Sequence, residues 1–167
     1  MALNEGLAWP NPVPNSLESN AKVVNAFLNQ KAEKRLLKSG LKLYKFNESG
    51  RELVGADGRI SPWWFPVEPL GDFDNGLDTV LKFAKTVGVS STEYARLIAA
   101  VTTEWNAMDV IMKTELRQPV WAFYGQCRNQ PKTEKSKVNL TGRAYQLFIP
   151  NLTLDYIRLD GKPVKAP

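Results

Sequence analysis

Hydrophobic and polar positions divide the chain into a largely helical first part and a strand-rich last third. Apolar residues recur every three or four positions, which is typical of one buried helical face. Three segments have this spacing: residues 24–37, 78–87 and 94–108. Each has a boundary signal: Ser16 or Ser19 and Ser39-Gly40 for the first, Gly88 after the second, and the capping box Ser90 to Glu93 before the third. The pattern therefore predicts three helices.

Alternating or continuously apolar runs predict the strands. They cover residues 41–46, 120–124, 144–149 and 154–159. Between them, Pro62 and Pro66 argue against a central strand over residues 59–66, so this segment is predicted as a loop. Helices and strands are segregated rather than alternating, which predicts an α+β fold.

The domain organisation is simple. Residues 1–16 carry three prolines and predict an extended or loosely docked lead-in. No repeat or linker interrupts the rest, so residues 17–167 are expected to form a single domain.

Composition excludes several kinds of chemistry. The 167 residues contain no histidine and one cysteine, which removes histidine-based catalysis, histidine metal sites, an internal disulfide and multi-thiolate zinc. The formal charge of +5 suits an anionic ligand: a nucleotide, a nucleic acid or an acidic partner. No apolar run approaches the roughly 18 residues that cross a bilayer. The first residues show no secretory signal, so we expect a cytoplasmic location, either in the producing cell or in a target cell after delivery.

Three segments carry a resemblance when taken in order. They are Leu43-Tyr44-Lys45, Arg59-Ile60-Ser61-Pro62-Trp63-Trp64, and a run from Pro119 through Gly125, Gln130 and Gly142-Arg143 to Gln146. Together they resemble the three strand motifs of the ADP-ribosyltransferase fold. The third is most similar to necrotizing-toxin-type NAD glycohydrolases, in which a strand-borne Gln replaces the catalytic Glu of the transferases.

The resemblance implies a fold, a substrate and a partner. The fold would be an antiparallel split β-sheet packed with an N-terminal helix and central helices. NAD would be the substrate, no metal would be needed, and an immunity protein would neutralise the toxin. Gln146 would be catalytic. The NAD-binding residues would be Tyr44, Lys45, Ser61, Trp63, Trp64 and Arg143.

The departures from the family pattern favour NAD cleavage over protein modification. Ala144 and Phe148 stand two residues either side of Gln146, where many arginine-modifying transferases carry a second acid. Cleavage of the nicotinamide–ribose bond places positive charge on the sugar. Because nicotinamide leaves from a cationic state, no general acid is required. An amide on a rigid strand would then accept a hydrogen bond from a ribose hydroxyl, and basic residues would hold the pyrophosphate.

Other interpretations stay open at this stage. Gln146 would otherwise be an ordinary strand residue, and Trp63-Trp64 would be core or interface anchors. A non-catalytic binding module would use the two tryptophans and the basic surface. A nucleic-acid-binding role has little support, because Lys132, Lys135 and Lys137 lack interleaved aromatics. Asp72 and Asp74 superficially suggest a calcium loop, but Ala84 stands where its glutamate is required.

Overall fold

The computed structural model describes residues 1–14, 16–71, 76–101, 105–133 and 139–167. Within these residues the chain forms three α-helices and a mostly antiparallel sheet, as expected of an α+β fold. The helices are α1 (Leu17–Asn25), α2 (Leu77–Val87) and α3 (Ser91–Ala99). Short 3₁₀ turns cover Leu28–Gln30 and Leu154–Tyr156.

Ten strands follow one another along the described chain. They are β1 (Glu33–Leu37), β2 (Lys42–Asn47), β3 (Trp63–Pro66), β4 (Val110–Leu116), β5 (Val120–Gln126), β6 (Gln130–Pro131), β7 (Asn139–Leu140), β8 (Tyr145–Phe148), β9 (Ile157–Leu159) and β10 (Val164–Lys165). Eight of them form one sheet in the order β1-β5-β8-β3-β2-β4-β10, with β9 also paired to β4. The strands β6 and β7 form a separate hairpin.

Strand β3 joins the two halves of the sheet. Its first two residues pair with β8, Trp63 opposite Phe148 and Trp64 opposite Leu147. Its last two pair with β2, Phe65 opposite Tyr44 and Pro66 opposite Leu43. Among the described residues, the four residues of β3 therefore join the β1-β5-β8 half of the sheet to the β2-β4-β10 half.

Apolar side chains cover both faces of the sheet. On one face, a core cluster includes Leu43, Trp64 and Leu147. On the other face, α2 and α3 pack against Tyr44 and Phe46 of β2, while Val23 of α1 and the adjoining Phe27 pack with Phe123 and Phe148. The alternation of side chains along each strand produces this division.

Several elements match the sequence-based predictions. Strands β2, β5 and β8 and helix α2 lie where they are predicted, and β9 covers part of the predicted last strand. Gly88 ends α2 in the left-handed conformation, and the Ser90 hydroxyl accepts a hydrogen bond from the Glu93 N–H. These outcomes confirm the strand patterns of β2, β5 and β8 and the helix boundaries predicted at Gly88 and Ser90.

Other predictions are wrong. The first helix ends at Asn25, and residues 33–37 form β1 because they pair with β5. Residues 63–66 form a central strand rather than a loop, since Pro62 lies just before it and Pro66 is its last residue. The third helix ends at Ala99, because Ala100 adopts a left-handed conformation. Strands β4, β6, β7 and β10 are not among the predicted strands.

The first residues pack closely on the rest of the chain. The Asn4 side-chain amide donates to the carbonyls of Trp121 and Pro150, at 3.1 and 2.6 Å. Trp9 contacts Phe27 and Phe123 through its ring. The segment 1–14 is thus docked on the sheet rather than loosely attached. Within the described ranges, every helix is too short or too polar to cross a bilayer.

Candidate functional site

A cavity of about 770 Å³ lies beside β3, between β2 on one side and Gln146 of β8 on the other. The end of α1, the last turn of α3 and the segments after β5 and α3 complete its walls. Five of the residues singled out in the sequence line it: Tyr44, Lys45, Ser61, Trp63 and Gln146. Residues separated by about a hundred positions in the chain therefore share one concave surface.

Gln146 is held by backbone groups at the wall of this cavity. Its side chain is nearly buried, and its Nε2 donates to the Ala26 carbonyl at 3.1 Å. A carbonyl only accepts hydrogen bonds, so this contact fixes which end of the amide faces it. The Oε1 atom has no hydrogen-bond partner among the described residues and is left as an acceptor at the cavity wall.

Glycine at position 125 allows this arrangement. Gly125 lies opposite Gln146 in the pairing of β5 with β8. A Cβ at this position would lie 2.6 Å from the Lys31 carbonyl oxygen and 2.8 Å from the Phe27 ring. Because real Cβ contacts are longer than this, only glycine lets the chain that follows α1 approach Gln146 so closely.

Aromatic rings form much of the wall next to Gln146. Trp63 is partly exposed, and its ring lies 4.7 Å from that of Phe148 and 5.8 Å from that of Phe27. Tyr44 stacks on Phe65 with ring centroids 5.6 Å apart. Of these rings, Trp63 offers a partly exposed, rigid apolar surface of the kind that accepts a planar ligand, whereas only 2% of Tyr44 is accessible.

Lys45 and Ser61 are paired at the side of the cavity nearer β2. Lys45 Nζ donates to Ser61 Oγ at 2.7 Å and lies 5.2 Å from the centre of the Trp64 ring. Burial, and secondarily the positive charge of Arg51, lower the pKa of Lys45 to about 8. No described carboxylate pairs with Lys45, so an anionic ligand would stabilise its charged form.

The lining of the cavity carries an excess of basic side chains, of which Lys22 is paired with Glu18 and Arg51 with Glu48. The described lining contains four basic residues, Lys22, Lys45, Arg51 and Arg128, and one acidic residue, Glu52. Sequence reasoning missed Arg51 and Arg128, and also Trp105 and Asn106, which line the cavity from the segment after α3. All four lie outside helices and strands; the helical spacing predicts Trp105 as a core position of the third helix, but that helix ends at Ala99.

Two residues predicted to bind NAD do not line the cavity. Trp64 is completely buried in the core on the other face of the sheet, because adjacent residues of a strand point to opposite faces. Arg143 is exposed at the turn before β8, with a positive φ of 76°. Trp64 thus cannot stack on a ligand, and a binding module that presents both tryptophans is excluded for this conformation.

Neither a cluster of metal-ligating side chains nor an accessible thiol is found among the described residues. They contain no group of three or more Cys, Asp or Glu side chains placed to hold a metal. Cys127 is buried, and burial raises its pKa far above the usual range of a thiol. Asp72, Asp74, Lys135 and Lys137, which entered the calcium-loop and basic-loop interpretations, lie outside the described residues.

Comparison with known proteins finds three solved complexes that align with the chain. No protein-family model and no curated protein sequence matches the chain. Rhs1-CT, solved in complex with its cognate immunity protein RhsI1, aligns over 81% of both chains with a TM-score of 0.52 and 14% identity. Tse6, solved with Tsi6, aligns over 89% of this chain and 86% of its own with a TM-score of 0.51 and 14% identity. Tne2, solved with Tni2, aligns over 82% of this chain and 93% of its own with a TM-score of 0.49 and 11% identity. The chain therefore shares its fold with Rhs1-CT and Tse6.

Proposed function

We propose that this protein is a toxic effector domain that cleaves the nicotinamide–ribose bond of NAD. The observation that carries the proposal is the position of Gln146, whose amide oxygen is free to accept a hydrogen bond at the wall of an aromatic-lined cavity with an excess of basic side chains. The same cavity brings Tyr44, Trp63 and Lys45 together with it. These residues supply an acceptor for the sugar, a flat surface for a ring and positive charge for phosphates.

Gln146 acts on the sugar in this proposal. As the bond to nicotinamide lengthens, positive charge develops on the ribose ring. The Oε1 atom accepts a hydrogen bond from a ribose hydroxyl and orients the sugar for departure of the base. The hydrogen bond from Nε2 to Ala26 keeps the amide from rotating, so this acceptor is preorganised.

Other lining residues bind the nicotinamide and the pyrophosphate of the ligand. The partly exposed ring of Trp63 forms the apolar wall for nicotinamide, and the buried ring of Tyr44 packs within the same wall. The charges of Lys45, Arg51 and Arg128 attract the pyrophosphate, and the planar guanidinium groups can bind its oxygens in pairs. Because Lys45 is hydrogen-bonded to Ser61, the Ser61 hydroxyl is also available to the pyrophosphate.

The comparisons support the toxic role. Rhs1-CT, which shares the fold, is solved with its cognate immunity protein, and an immunity protein protects a cell from a toxin. We therefore expect a neutralising partner for this protein as well. We propose that ADP-ribose is transferred to water, because neither Ala144 nor Phe148 supplies a second acid. Analysis of the reaction products distinguishes water from another acceptor.

The test is the release of nicotinamide from NAD by purified protein. We expect release by the wild type and a loss of at least about a hundredfold in Gln146→Ala, the scale of removing one preorganised polar group from a catalytic site. Gln126→Ala is the matched control, because its Nε2 also donates to a backbone carbonyl, that of Arg143 at 3.2 Å, but it does not line the cavity.

The outcomes separate the residue from the activity. Absence of nicotinamide release by folded wild-type protein would overturn the proposed reaction. Normal turnover by a folded Gln146→Ala variant would remove only the assigned residue. In cells, the wild type is expected to arrest growth, and Gln146→Ala is expected to permit it.

A further inference from the structure

Trp105 is a large indole at the cavity that has no role so far. It lines the cavity and is 54% exposed, and among the described residues its ring stacks on no other aromatic side chain. A single exposed apolar residue needs no explanation by itself. The backbone that carries this one, however, is held in place by buried and charged groups.

Hydrogen bonds fix the segment around Trp105 from two sides. The Arg51 guanidinium donates to the Trp105 carbonyl at 3.3 Å. The buried Arg96 guanidinium donates to the carbonyls of Asn106 and Ala107 at 3.0 and 3.1 Å. Asn106 in turn donates to the Asn47 side chain of β2 at 3.1 Å. The indole is therefore presented from a pinned backbone, which lowers the entropy lost on binding a ligand.

Trp105 and Gln146 are held at the cavity by different elements. Gln146 is tied to α1 through Ala26, whereas the Trp105 segment is tied to β2 through Asn47. Strand β3 lies between β8 and β2, and two strand spacings amount to about 10 Å. A ligand that contacts both residues must consequently be elongated.

Positive charge lies on the same side of the cavity as Trp105. Arg51 is close enough to Lys45 for the two charges to repel, and both line the cavity. Arg51 is already paired with Glu48, whose Oε2 lies 2.7 Å from Arg51 Nη2, so an anion placed between the two cations would chiefly stabilise the charge of Lys45. The cavity thus offers an acceptor at Gln146 on β8 and, towards β2, the cations Lys45 and Arg51 together with the flat indole of Trp105.

We propose that Trp105 is the platform on which the adenine base of the dinucleotide stacks, with the pyrophosphate between Lys45 and Arg51. This assignment rests on the proposed function, which places the nicotinamide ribose at Gln146. It makes Trp105 a specificity residue that selects a dinucleotide over a nicotinamide mononucleotide. Base stacking on an aromatic ring suits this role because it needs an accessible ring face and no directional partner.

The first test measures binding without catalysis, using ADP as the probe in calorimetry. We expect the wild type to bind ADP and Trp105→Ala to bind it about tenfold more weakly, within the range for loss of one base–aromatic stack. Trp105→Leu keeps apolar volume without a ring and should lose as much, whereas Trp105→Phe should lose less. Phe83→Ala removes another exposed ring, outside the cavity lining, and should bind ADP normally.

The second test uses turnover. Trp105→Leu should raise the KM for NAD about tenfold while leaving kcat within about twofold, and should not change the KM for nicotinamide mononucleotide, which lacks adenine. Equal affinity of wild type and Trp105→Leu for ADP, or equal effects on both substrates, would overturn the inference. Binding of ADP that depends on Trp105, without any nicotinamide release by the wild type, would retain the platform and overturn the proposed reaction.

Discussion

The cavity wall and the core behind it are built by the same short strand. Strand β3 contributes Trp63 to the wall, where its ring is partly exposed, and Trp64 to the core, where no part of it is accessible. The Trp64 Nε1 donates to the Ser61 carbonyl at 2.8 Å, so its one polar group is satisfied inside the protein. Neighbouring residues of the same type therefore belong to regions with different tasks.

The difference shows how the fold separates stability from ligand binding. Core residues on one face of the sheet, such as Leu43, Trp64 and Leu147, pack against one another and leave nothing for a ligand to contact. Residues on the cavity side leave acceptors, rings and charges accessible. Substitutions in the two regions are expected to fail in different measurements, and the predictions below use that contrast.

The largest effect is expected from Trp64→Ala. Removing a completely buried tryptophan should lower the free energy of unfolding by about 3–5 kcal/mol, because a cavity remains where the ring was. Trp63→Ala should cost about 1–2 kcal/mol, since that ring is already partly solvated, but it should reduce nicotinamide release at least tenfold. Urea unfolding and the nicotinamide assay, applied to both variants, measure the contrast.

Reversal of the two effects would contradict the division of the strand. If Trp64→Ala retained wild-type stability while Trp63→Ala unfolded, then the assignment of core and wall would be wrong. Trp63→Phe provides the intermediate case, because it keeps an aromatic face at the wall. It should retain more activity than Trp63→Ala at similar stability.

The sequence alone predicts the α+β class and several strands, but it places the boundaries between helices, strands and loops less accurately. Strands β2, β5 and β8 have strong local patterns and were found. The sequence predicts helix at β1, because Leu36 and Leu37 also fit a helical spacing, and only pairing with β5 makes them a strand. It predicts a loop at β3 because of the prolines there. Without β3 as a strand, no alternation could place Trp63 and Trp64 on opposite faces.

The candidate site was predicted in the same uneven way. Tyr44, Lys45, Ser61, Trp63 and Gln146 were named through a family resemblance, and the structure brings them to one cavity. The contributions of Arg51 and Arg128 could not be predicted, because they lie in irregular segments whose positions depend on long-range contacts, and the helical spacing places Trp105 in the core of a helix that in fact ends at Ala99. The hydrogen bond between Arg51 and the Trp105 carbonyl, for example, joins residues 54 positions apart.

The second prediction concerns the charge of Lys45. Its pKa of about 8 in the folded protein lies below the 10.5 of an unperturbed lysine, so between these values the unfolded chain binds more protons. Stability should therefore rise as the pH increases from 8 to about 10.5, and the penalty is fully present below pH 8. At pH 7, Lys45→Met should raise the free energy of unfolding by about 1–2 kcal/mol, allowing for solvent screening.

The same charge should matter for the ligand in the opposite sense. In the wild type, kcat/KM for NAD should fall above about pH 8 as Lys45 loses the proton that attracts the pyrophosphate. Lys45→Arg should move this fall to higher pH, because a guanidinium stays protonated. Lys82→Met, on an exposed face of α2, is the control for a simple change of net charge. An unchanged pH profile in Lys45→Arg would exclude Lys45 as the titrating group.

The smallest effect is expected at Cys127, where two adjacent residues again lie one in the core and one at the cavity wall. Cys127 is buried in the core, whereas Arg128 lines the cavity. Burial holds the pKa of the thiol well above its usual range, so almost no thiolate forms at pH 8. A disulfide reagent such as dithionitrobenzoate should leave the folded protein unmodified and should react fully after denaturation.

Cys127→Ala should cost about 1 kcal/mol of stability and leave nicotinamide release unchanged, since the thiol touches no ligand. Rapid modification of the folded protein, or loss of activity in Cys127→Ala, would show that the boundary between core and wall lies elsewhere than between these two residues.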